Sequence, residues 1–165
     1  MKKRKSPLQV LMAFSEVAPF AKTGGLADVA GALPSALREL GCDVRIVMPF
    51  YNRFVEGAAG KKALVENLPV PLGKEVIFAD VYGTKLDDGV SVYFIRRDEF
   101  FDRSHLYGTP KGDYFDNFMR FTYFSRAVLG LCPKVDFKPD VVHSHDWQSG
   151  LVPAYLNHLF ASKDY

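Results

Sequence analysis

The sequence predicts an α/β domain built around a parallel sheet, and three features of its amino-terminal part predict it. Residues 8–14 form a short apolar run that is typical of a buried strand. The glycine pair Gly24-Gly25 follows, and apolar residues at helical spacing come after it. A second strand pattern spans Asp43–Pro49. Strand, glycine loop, helix and strand in this order indicate a right-handed βαβ unit, in which the two strands are parallel.

The first predicted helix presents one apolar face. Its apolar residues recur at helical spacing: Leu26, Val29, Ala30, Leu33, Leu37 and Leu40. Gly41 is suited to end the helix as a carboxyl-terminal cap. Pro34 lies inside the pattern and has no amide to offer the carbonyl of Ala30. We therefore expect either a kink at this point or a short first turn followed by a second helix.

The middle of the chain is harder to assign. Residues 52–73 are interrupted by glycine and proline and give no clear pattern. Residues 75–82 and 90–95 have the composition of strands, and the turn residues Asp87-Asp88-Gly89 between them predict a β-hairpin. A short helix is expected at 98–102, followed by a loop.

The carboxyl-terminal part predicts a long helix, a strand and a final helix. The long helix covers residues 113–132 and ends at Pro133. Its predicted buried stripe comprises Phe118, Phe121, Phe124 or Ser125, Val128 and Leu131. Residues 138–145 indicate a turn that leads into a buried strand. The last helix is expected at about 148–160, with Asp146 as its candidate amino-terminal cap.

Composition argues against several classes of function. The chain has 165 residues, with 21 Lys and Arg against 19 Asp and Glu. Four of the basic residues lie in a tail at residues 1–7, so the remainder is slightly acidic, and we expect no nucleic-acid or membrane partner. Cys42 and Cys132 are too few for a disulfide framework, which favours the cytoplasm. No stretch approaches the roughly twenty apolar residues of a membrane span.

Residues 22–25, Lys-Thr-Gly-Gly, form the first candidate site, which we call the glycine loop. Two glycines between a strand and a helix let the backbone approach a ligand, and the free amides of the first helical turn favour an anion there. Lys22 adds a mobile positive charge, so phosphate or pyrophosphate is the expected ligand. The alternative is a tight turn that needs positive φ, with Lys22 as a solvated surface charge.

The second candidate site follows the last predicted strand. Ligands of open parallel sheets bind at the carboxyl ends of strands, where both this stretch and the glycine loop lie. Asp146 could accept hydrogen bonds from sugar hydroxyls, and Trp147 could offer its ring to a sugar. Alternatively, Asp146 caps the helix, Trp147 packs in the core, and His143 and His145 are core residues. The histidine pair lacks a further ligand cluster, so no metal site is expected.

The third candidate region combines aromatic and polar residues between 107 and 124. Aromatic residues at helical spacing are usually core residues. Tyr107, Tyr114, Asp116 and Asn117 are better candidates for a polar rim, which would suit a carbohydrate. The alternative is the solvated start of a helix.

Residues 15–34, with the sequence SEVAPFAKTGGLADVAGALP, closely resemble the amino-terminal signature of bacterial glycogen synthases and plant starch synthases. Four further stretches resemble the same family, in its order and approximate spacing: residues 44–51, 106–108, 113–121 and 139–153. Together they cover essentially the whole chain from residue 8 onward. The chain is therefore identified by resemblance as a member of this family.

The resemblance implies a GT-B glycosyltransferase, with two Rossmann-like domains that face each other across a cleft. Such enzymes transfer glucose from ADP-glucose to the non-reducing end of an α-1,4-glucan with retention. UDP-glucose remains open as the donor, and the resemblance implies no cofactor. The substrate-binding residues that it implies are Lys22, Thr23, Gly24, Gly25, Tyr114, Asn117 and Asp146. Asp146 would also be the catalytic candidate, on the glucosyl and acceptor side of the cleft.

Family members are far longer than 165 residues. We therefore expect residues 8–165 to be a partial amino-terminal Rossmann-like domain, incomplete at its carboxyl end and separated from its carboxyl-terminal nucleotide-binding domain. Cationic groups that stabilise the leaving diphosphate would belong to the missing part, so the isolated chain should be inactive. Two alternatives remain: a non-catalytic glucan-binding or regulatory module of the same fold, and another GT-B glycosyltransferase.

Overall fold

The computed structural model describes residues 6–55, 57, 60 and 62–159. The strands are β1 Gln9–Ala13, β2 Asp43–Pro49, β3 Val65–Leu72, β4 Glu75–Lys85, β5 Ser91–Arg96, β6 Gly108–Thr109, β7 Gly112–Asp113 and β8 Val141–Ser144. The helices are α1 Gly25–Glu39, α2 Asn52–Val55, α3 Asp98–Phe101, α4 Asn117–Leu131 and α5 Val152–Leu159. Most of the basic tail and the predicted end of the last helix at Phe160 lie outside the described residues.

A mixed six-stranded sheet in the order β3-β4-β5-β2-β1-β8 organises the fold. β1 pairs in parallel with β2 on one side and with β8 on the other, and β5 joins β2 in parallel. This confirms the predicted α/β class and the βαβ unit. β4 pairs antiparallel with β5, which confirms the predicted hairpin, and β3 extends the sheet beyond β4.

β3 lies in the segment that the sequence left unassigned. Its Pro69 and Pro71 cannot donate hydrogen bonds, which weakens a strand pattern in the sequence. The strand tolerates them because, in the described part of the sheet, it has β4 as its neighbour on one side and forms the edge on the other. Leu68 and Val70 are buried and alternate with the exposed prolines, as expected for a strand with one covered face.

α1 is a single helix that includes Pro34, so the alternative of two helices is wrong. Its predicted apolar face is partly wrong as well, because Val29 is 45% exposed and Leu40 is 81% exposed. The buried residues are Ala27, Ala30 and Pro34. The covered face keeps most of the predicted one, because Leu26, Leu33 and Leu37 are partly buried against the core. Gly41 has a φ of 89° just after the helix, which supports its predicted role at the end.

α4 begins at Asn117, four residues after the predicted start, because residues 112–113 pair in β7. Most of the predicted stripe is buried, namely Phe121, Phe124, Ser125, Val128 and Leu131. Phe118 is 68% exposed, so its assignment to the stripe is wrong. Helical structure continues past Leu131 as a 3-10 helix that contains Pro133.

The carboxyl-terminal part differs most from expectation. β8 borders the described part of the sheet and is partly exposed along its length, so the prediction of a fully buried strand is wrong. A 3-10 turn at Trp147–Ser149 precedes α5, which therefore starts at Val152. Asp146 precedes that turn and makes no side-chain capping bond there within the described residues. In the described ranges, no helix combines the length and the apolar character that crossing a membrane requires.

Candidate active site

The glycine loop lies after β1 and leads directly into α1. Gly24 is the amino-terminal cap residue of α1, and no side chain of the described residues caps the helix there. The first amides of α1 therefore lack helical partners at the loop. A Cβ added to Gly25 would meet no described atom within 4 Å, so the backbone is open to a ligand.

The glycines of this loop do not adopt a left-handed conformation. Gly24 has an extended backbone with a φ of −151°. Neither Gly24 nor Gly25 is among the residues with positive φ in the described chain. The tight turn with positive φ, the alternative raised by the sequence, is therefore wrong, and what the glycines provide is access to the backbone.

The ammonium group of Lys22 lies at the surface beside the glycine loop. It donates a hydrogen bond of 2.6 Å to a carboxylate oxygen of Asp28 in the first turn of α1. Both side chains are more than half exposed. An exposed ion pair of this kind contributes little stability in water. Lys22 can therefore exchange Asp28 for an anionic ligand at small cost.

Glu16 anchors the glycine loop, and the sequence did not single it out. Its carboxylate is buried, with the residue only 2% exposed. Oε2 accepts hydrogen bonds from the backbone N–H of Thr23 at 2.7 Å and from the Thr23 hydroxyl at 2.6 Å. The signal that could have revealed it is an acidic residue three positions after a buried strand, in an otherwise apolar segment.

Asp146 lies beyond the end of β8, in what we call the Asp146 turn, residues 145–149. β8 neighbours β1, with Ser144 paired to Ala13, so the Asp146 turn and the glycine loop leave the same end of the sheet. Asp146 is exposed and has a φ of 59° and a ψ of −179°, a backbone region that is occupied almost solely by glycine. Strain at an exposed aspartate at the same end of the sheet as the glycine loop makes Asp146 a candidate functional residue.

Ser149 holds the strained turn in place. Its buried hydroxyl oxygen accepts a hydrogen bond of 2.7 Å from the backbone N–H of His145. The same hydroxyl donates a hydrogen bond of 2.6 Å to the carbonyl of His145. The carbonyl of Ala13 in β1 is a second, more distant acceptor at 3.3 Å. Ser149 therefore closes the Asp146 turn through His145 and links the turn to β1 through Ala13.

Tyr107 and Trp147 join the two loops to a third segment, residues 106–117, which we call the tyrosine loop. The Tyr107 hydroxyl lies 2.7 Å from the hydroxyl oxygen of Ser15, directly after β1, and burial raises the pKa of Tyr107. Trp147 is 57% exposed and packs edge-to-face on Phe121, with ring centroids 5.0 Å apart. Trp147 is therefore not a core residue, because part of its ring faces solvent while another part packs on Phe121.

Asn117 and Tyr114, the other predicted rim residues, hold the tyrosine loop. The buried amide of Asn117 donates to the carbonyl of Tyr107 at 2.7 Å and accepts from Arg120 at 2.6 Å. The guanidinium groups of Arg103 and Arg120 each lie 5.1 Å from the centre of the half-buried ring of Tyr114. A contact of either residue with substrate stays a prediction, whereas their structural contacts are clear.

Arg120 is the second residue that sequence reasoning missed. It is fully buried and donates hydrogen bonds to the carbonyls of Phe100 at 2.7 Å and Leu106 at 3.0 Å, as well as to Asn117. Burial lowers its pKa. The available signal was a charged residue on the otherwise aromatic, core-facing side of α4.

His143 lies in β8, and His145 is the first residue of the Asp146 turn. The His145 ring stacks on Phe14 with centroids 4.0 Å apart and lies 4.1 Å from the ring of His143. Burial, and then the neighbouring His143, lower the pKa of His145 to about 4, so the ring is neutral at physiological pH. The described residues contain no group of three or more His, Cys, Asp or Glu side chains placed to hold a metal.

Two bacterial proteins are similar to this chain over most of its length. The glycogen synthase 2 of Geobacter sulfurreducens is 48% identical over 149 residues, which cover 90% of this chain and 31% of that protein. The glycogen synthase of Syntrophotalea carbinolica is 49% identical over 149 residues, with the same shares covered. The chain thus spans about a third of the length of these relatives.

A solved structure and a family model give the same assignment. The catalytic domain of starch synthase IV from Arabidopsis thaliana, bound to ADP and acarbose, superimposes with a TM-score of 0.82 and 33% identity, covering 96% of this chain and 32% of that one. This confirms the predicted GT-B relationship of the fold. The model of the starch synthase catalytic domain matches residues 9–165. The chain belongs to the starch synthase catalytic domain family.

Proposed function

We propose that this chain is the amino-terminal part of a glycogen or starch synthase that transfers glucose from ADP-glucose to the non-reducing end of an α-1,4-glucan, with retention. One observation carries the proposal: the glycine loop and the Asp146 turn follow the adjacent parallel strands β1 and β8 and leave the sheet at the same end. An anion-binding loop beside an exposed carboxylate suits a donor that joins a diphosphate to a sugar.

The glycine loop would bind the donor's diphosphate. The open amides at the start of α1 and the exposed ammonium of Lys22 supply the donors and the positive charge that phosphate oxygens require. The starch synthase IV domain that superimposes on this chain is bound to ADP, which supports a nucleoside diphosphate as the ligand.

The Asp146 turn would bind the sugar side. The carboxylate of Asp146 can accept hydrogen bonds from hydroxyl groups, and the exposed part of Trp147 offers an aromatic surface. The same starch synthase IV domain is bound to acarbose. We place glucose and the growing glucan here, with Tyr114 and Asn117 on the acceptor side.

The remaining groups would come from sequence outside this chain. Charge develops on the leaving diphosphate, and its stabilisation needs cations beyond Lys22. We propose that they belong to a carboxyl-terminal domain across the cleft, that the 165-residue chain alone is inactive, and that the enzyme works in the cytoplasm without a cofactor.

Glucosyl transfer to glycogen by the full-length protein tests the proposal, with ADP-glucose and UDP-glucose compared at equal concentration. We expect transfer from ADP-glucose with the α-configuration kept, and a loss of about a hundredfold or more for Asp146→Asn, as for other groups that act in the transition state. Asp136→Asn is the matched control, because Asp136 is also exposed and has positive φ but lies outside the site. If glucose is transferred from neither ADP-glucose nor UDP-glucose, the proposal is contradicted. If UDP-glucose is the better donor, the reaction stands and the proposed donor is wrong.

A further inference from the structure

Glu16 is a buried charged group that the proposed function does not use. It lies between β1 and the glycine loop, and its carboxylate reaches Thr23 seven positions further along the chain. A carboxylate that faced a bound diphosphate would repel it. The geometry instead directs Oε2 at the N–H and hydroxyl of Thr23, so Glu16 acts on the loop and not on the ligand.

The loop needs such an anchor because of its composition. Gly24 and Gly25 have no side chains that could fix their backbone, and glycine loses more conformational freedom on ordering than any other residue. The anchored residue, Thr23, directly precedes them. The other carboxylate oxygen, Oε1, lies 3.7 Å from the position that a Cβ on Gly24 would take. The carboxylate of Glu16 therefore bonds Thr23 through one oxygen and lies beside Gly24 with the other.

We propose that Glu16 is a positioning residue that holds Thr23, and thereby the amides of Gly24 and Gly25, in the orientation that receives the diphosphate of the donor. The inference rests on the proposed function, since it assigns Glu16 a task in that binding event. Preorganisation of this kind raises affinity by removing the cost of ordering the loop at the moment of binding.

Variants of Glu16 in the full-length protein, with ADP as the probe, test the inference by calorimetry. We expect Glu16→Ala to weaken ADP binding by about tenfold or more, as for the loss of hydrogen bonds to a charged group. Glu16→Gln keeps an oxygen that can accept both Thr23 bonds, so its affinity should stay within about threefold. Thr23→Val removes only the hydroxyl bond and keeps the backbone N–H bond, so it should lose less affinity than Glu16→Ala. It should add little to Glu16→Ala, because that variant has already lost the hydroxyl bond.

A control separates positioning from general stability. Val128 is a fully buried residue of α4 outside the site, and Val128→Ala should lower the thermal midpoint without changing ADP affinity. Amide hydrogen exchange without ligand gives a second readout, because Glu16→Ala should speed exchange across residues 23–26 whereas Glu16→Gln should not.

The outcomes are distinguishable. If the unmodified protein binds no ADP, the proposed function fails, and the exchange of residues 23–26 still decides whether Glu16 holds the loop. If the unmodified protein binds ADP and Glu16→Ala binds it equally well, the role of Glu16 is overturned. The role is also overturned if Glu16→Ala and Val128→Ala lose affinity in proportion to their loss of thermal stability.

Discussion

The glycine loop and the tyrosine loop border the same candidate site but are anchored by opposite charges. Glu16, a buried anion, holds the first through the N–H and hydroxyl donors of Thr23. Arg120, a buried cation, holds the second through the carbonyl of Leu106 and links it to α3 through the carbonyl of Phe100. Each anchor matches the backbone groups that its loop turns inward.

This difference shows how a loop can be fixed while its useful groups stay free. The glycine loop turns one backbone N–H inward, that of Thr23, and leaves the amides that follow open to an anion. The tyrosine loop turns carbonyls inward and leaves the ring of Trp147, which packs beside it, partly exposed.

Removal of Arg120 should have the largest effect on stability. Arg120→Met removes the donor to the carbonyls of Phe100 and Leu106 and to the Asn117 oxygen, so we expect the free energy of unfolding to fall by about 3 kcal/mol or more. Urea unfolding followed by the fluorescence of Trp147, the single tryptophan, measures it. Arg126→Met is the control on the same helix, because Arg126 contacts the ring of Tyr155 and should cost less than about 1 kcal/mol. An equal fall in the free energy of unfolding in both variants would show that Arg120 does not anchor the tyrosine loop.

Lys22 should affect catalysis and not stability. A charge-assisted contact to phosphate contributes about 1.5–3 kcal/mol, so Lys22→Gln in the full-length protein should lower kcat/KM for ADP-glucose by about ten- to 150-fold. Its surface pair with Asp28 contributes little to folding. Lys74→Gln, in the exposed turn between β3 and β4, should keep normal efficiency. Wild-type efficiency in Lys22→Gln would mean that the lysine is only a surface charge.

The sequence predicted the features that depend on residues close together in the chain. It missed those that depend on residues far apart in the chain. The βαβ unit, the hairpin and the glycine loop follow from local patterns of apolar residues and glycine, and the structure confirms their secondary structure. β3 was missed because the prolines in it are acceptable only at a sheet edge, which is a property of the whole sheet.

The anchors of the site escaped prediction for the same reason. Arg120 is satisfied by carbonyls 14 and 20 residues away in sequence, and no local pattern shows them. Asp146 was assigned a capping role from its position before a helix, yet its backbone is strained and another residue, Ser149, fixes the turn. The family resemblance predicted candidate site residues, but it did not predict the groups that hold the candidate loops.

The Asp146 turn has an uncharged anchor, and removing it should cost less than removing Arg120. Ser149→Ala loses the hydrogen bonds to His145 at 2.7 and 2.6 Å, so the free energy of unfolding should fall by about 1–2 kcal/mol. Ser125→Ala is a matched control, since Ser125 is equally buried but makes one long bond of 3.4 Å. Urea unfolding of both variants measures the difference. A larger loss for Ser125→Ala would show that Ser149 does not hold the turn.

The pH dependence of stability should give the smallest effect, and it reports on the base of the same turn. In the folded chain burial and the neighbouring His143 lower the pKa of His145 to about 4, whereas an unfolded histidine titrates near 6.5. Between these values the unfolded state binds more protons, so stability should fall as the pH falls from about 6.5 to about 4 and then stop responding to this group. The ring is only half-buried, so water screens the effect and the slope should be shallow. Urea unfolding across this pH range should show that His145→Gln loses part of the slope, while His158→Gln, at the end of α5, keeps it. An unchanged slope in His145→Gln would mean that the stacked ring takes up its proton equally well in both states.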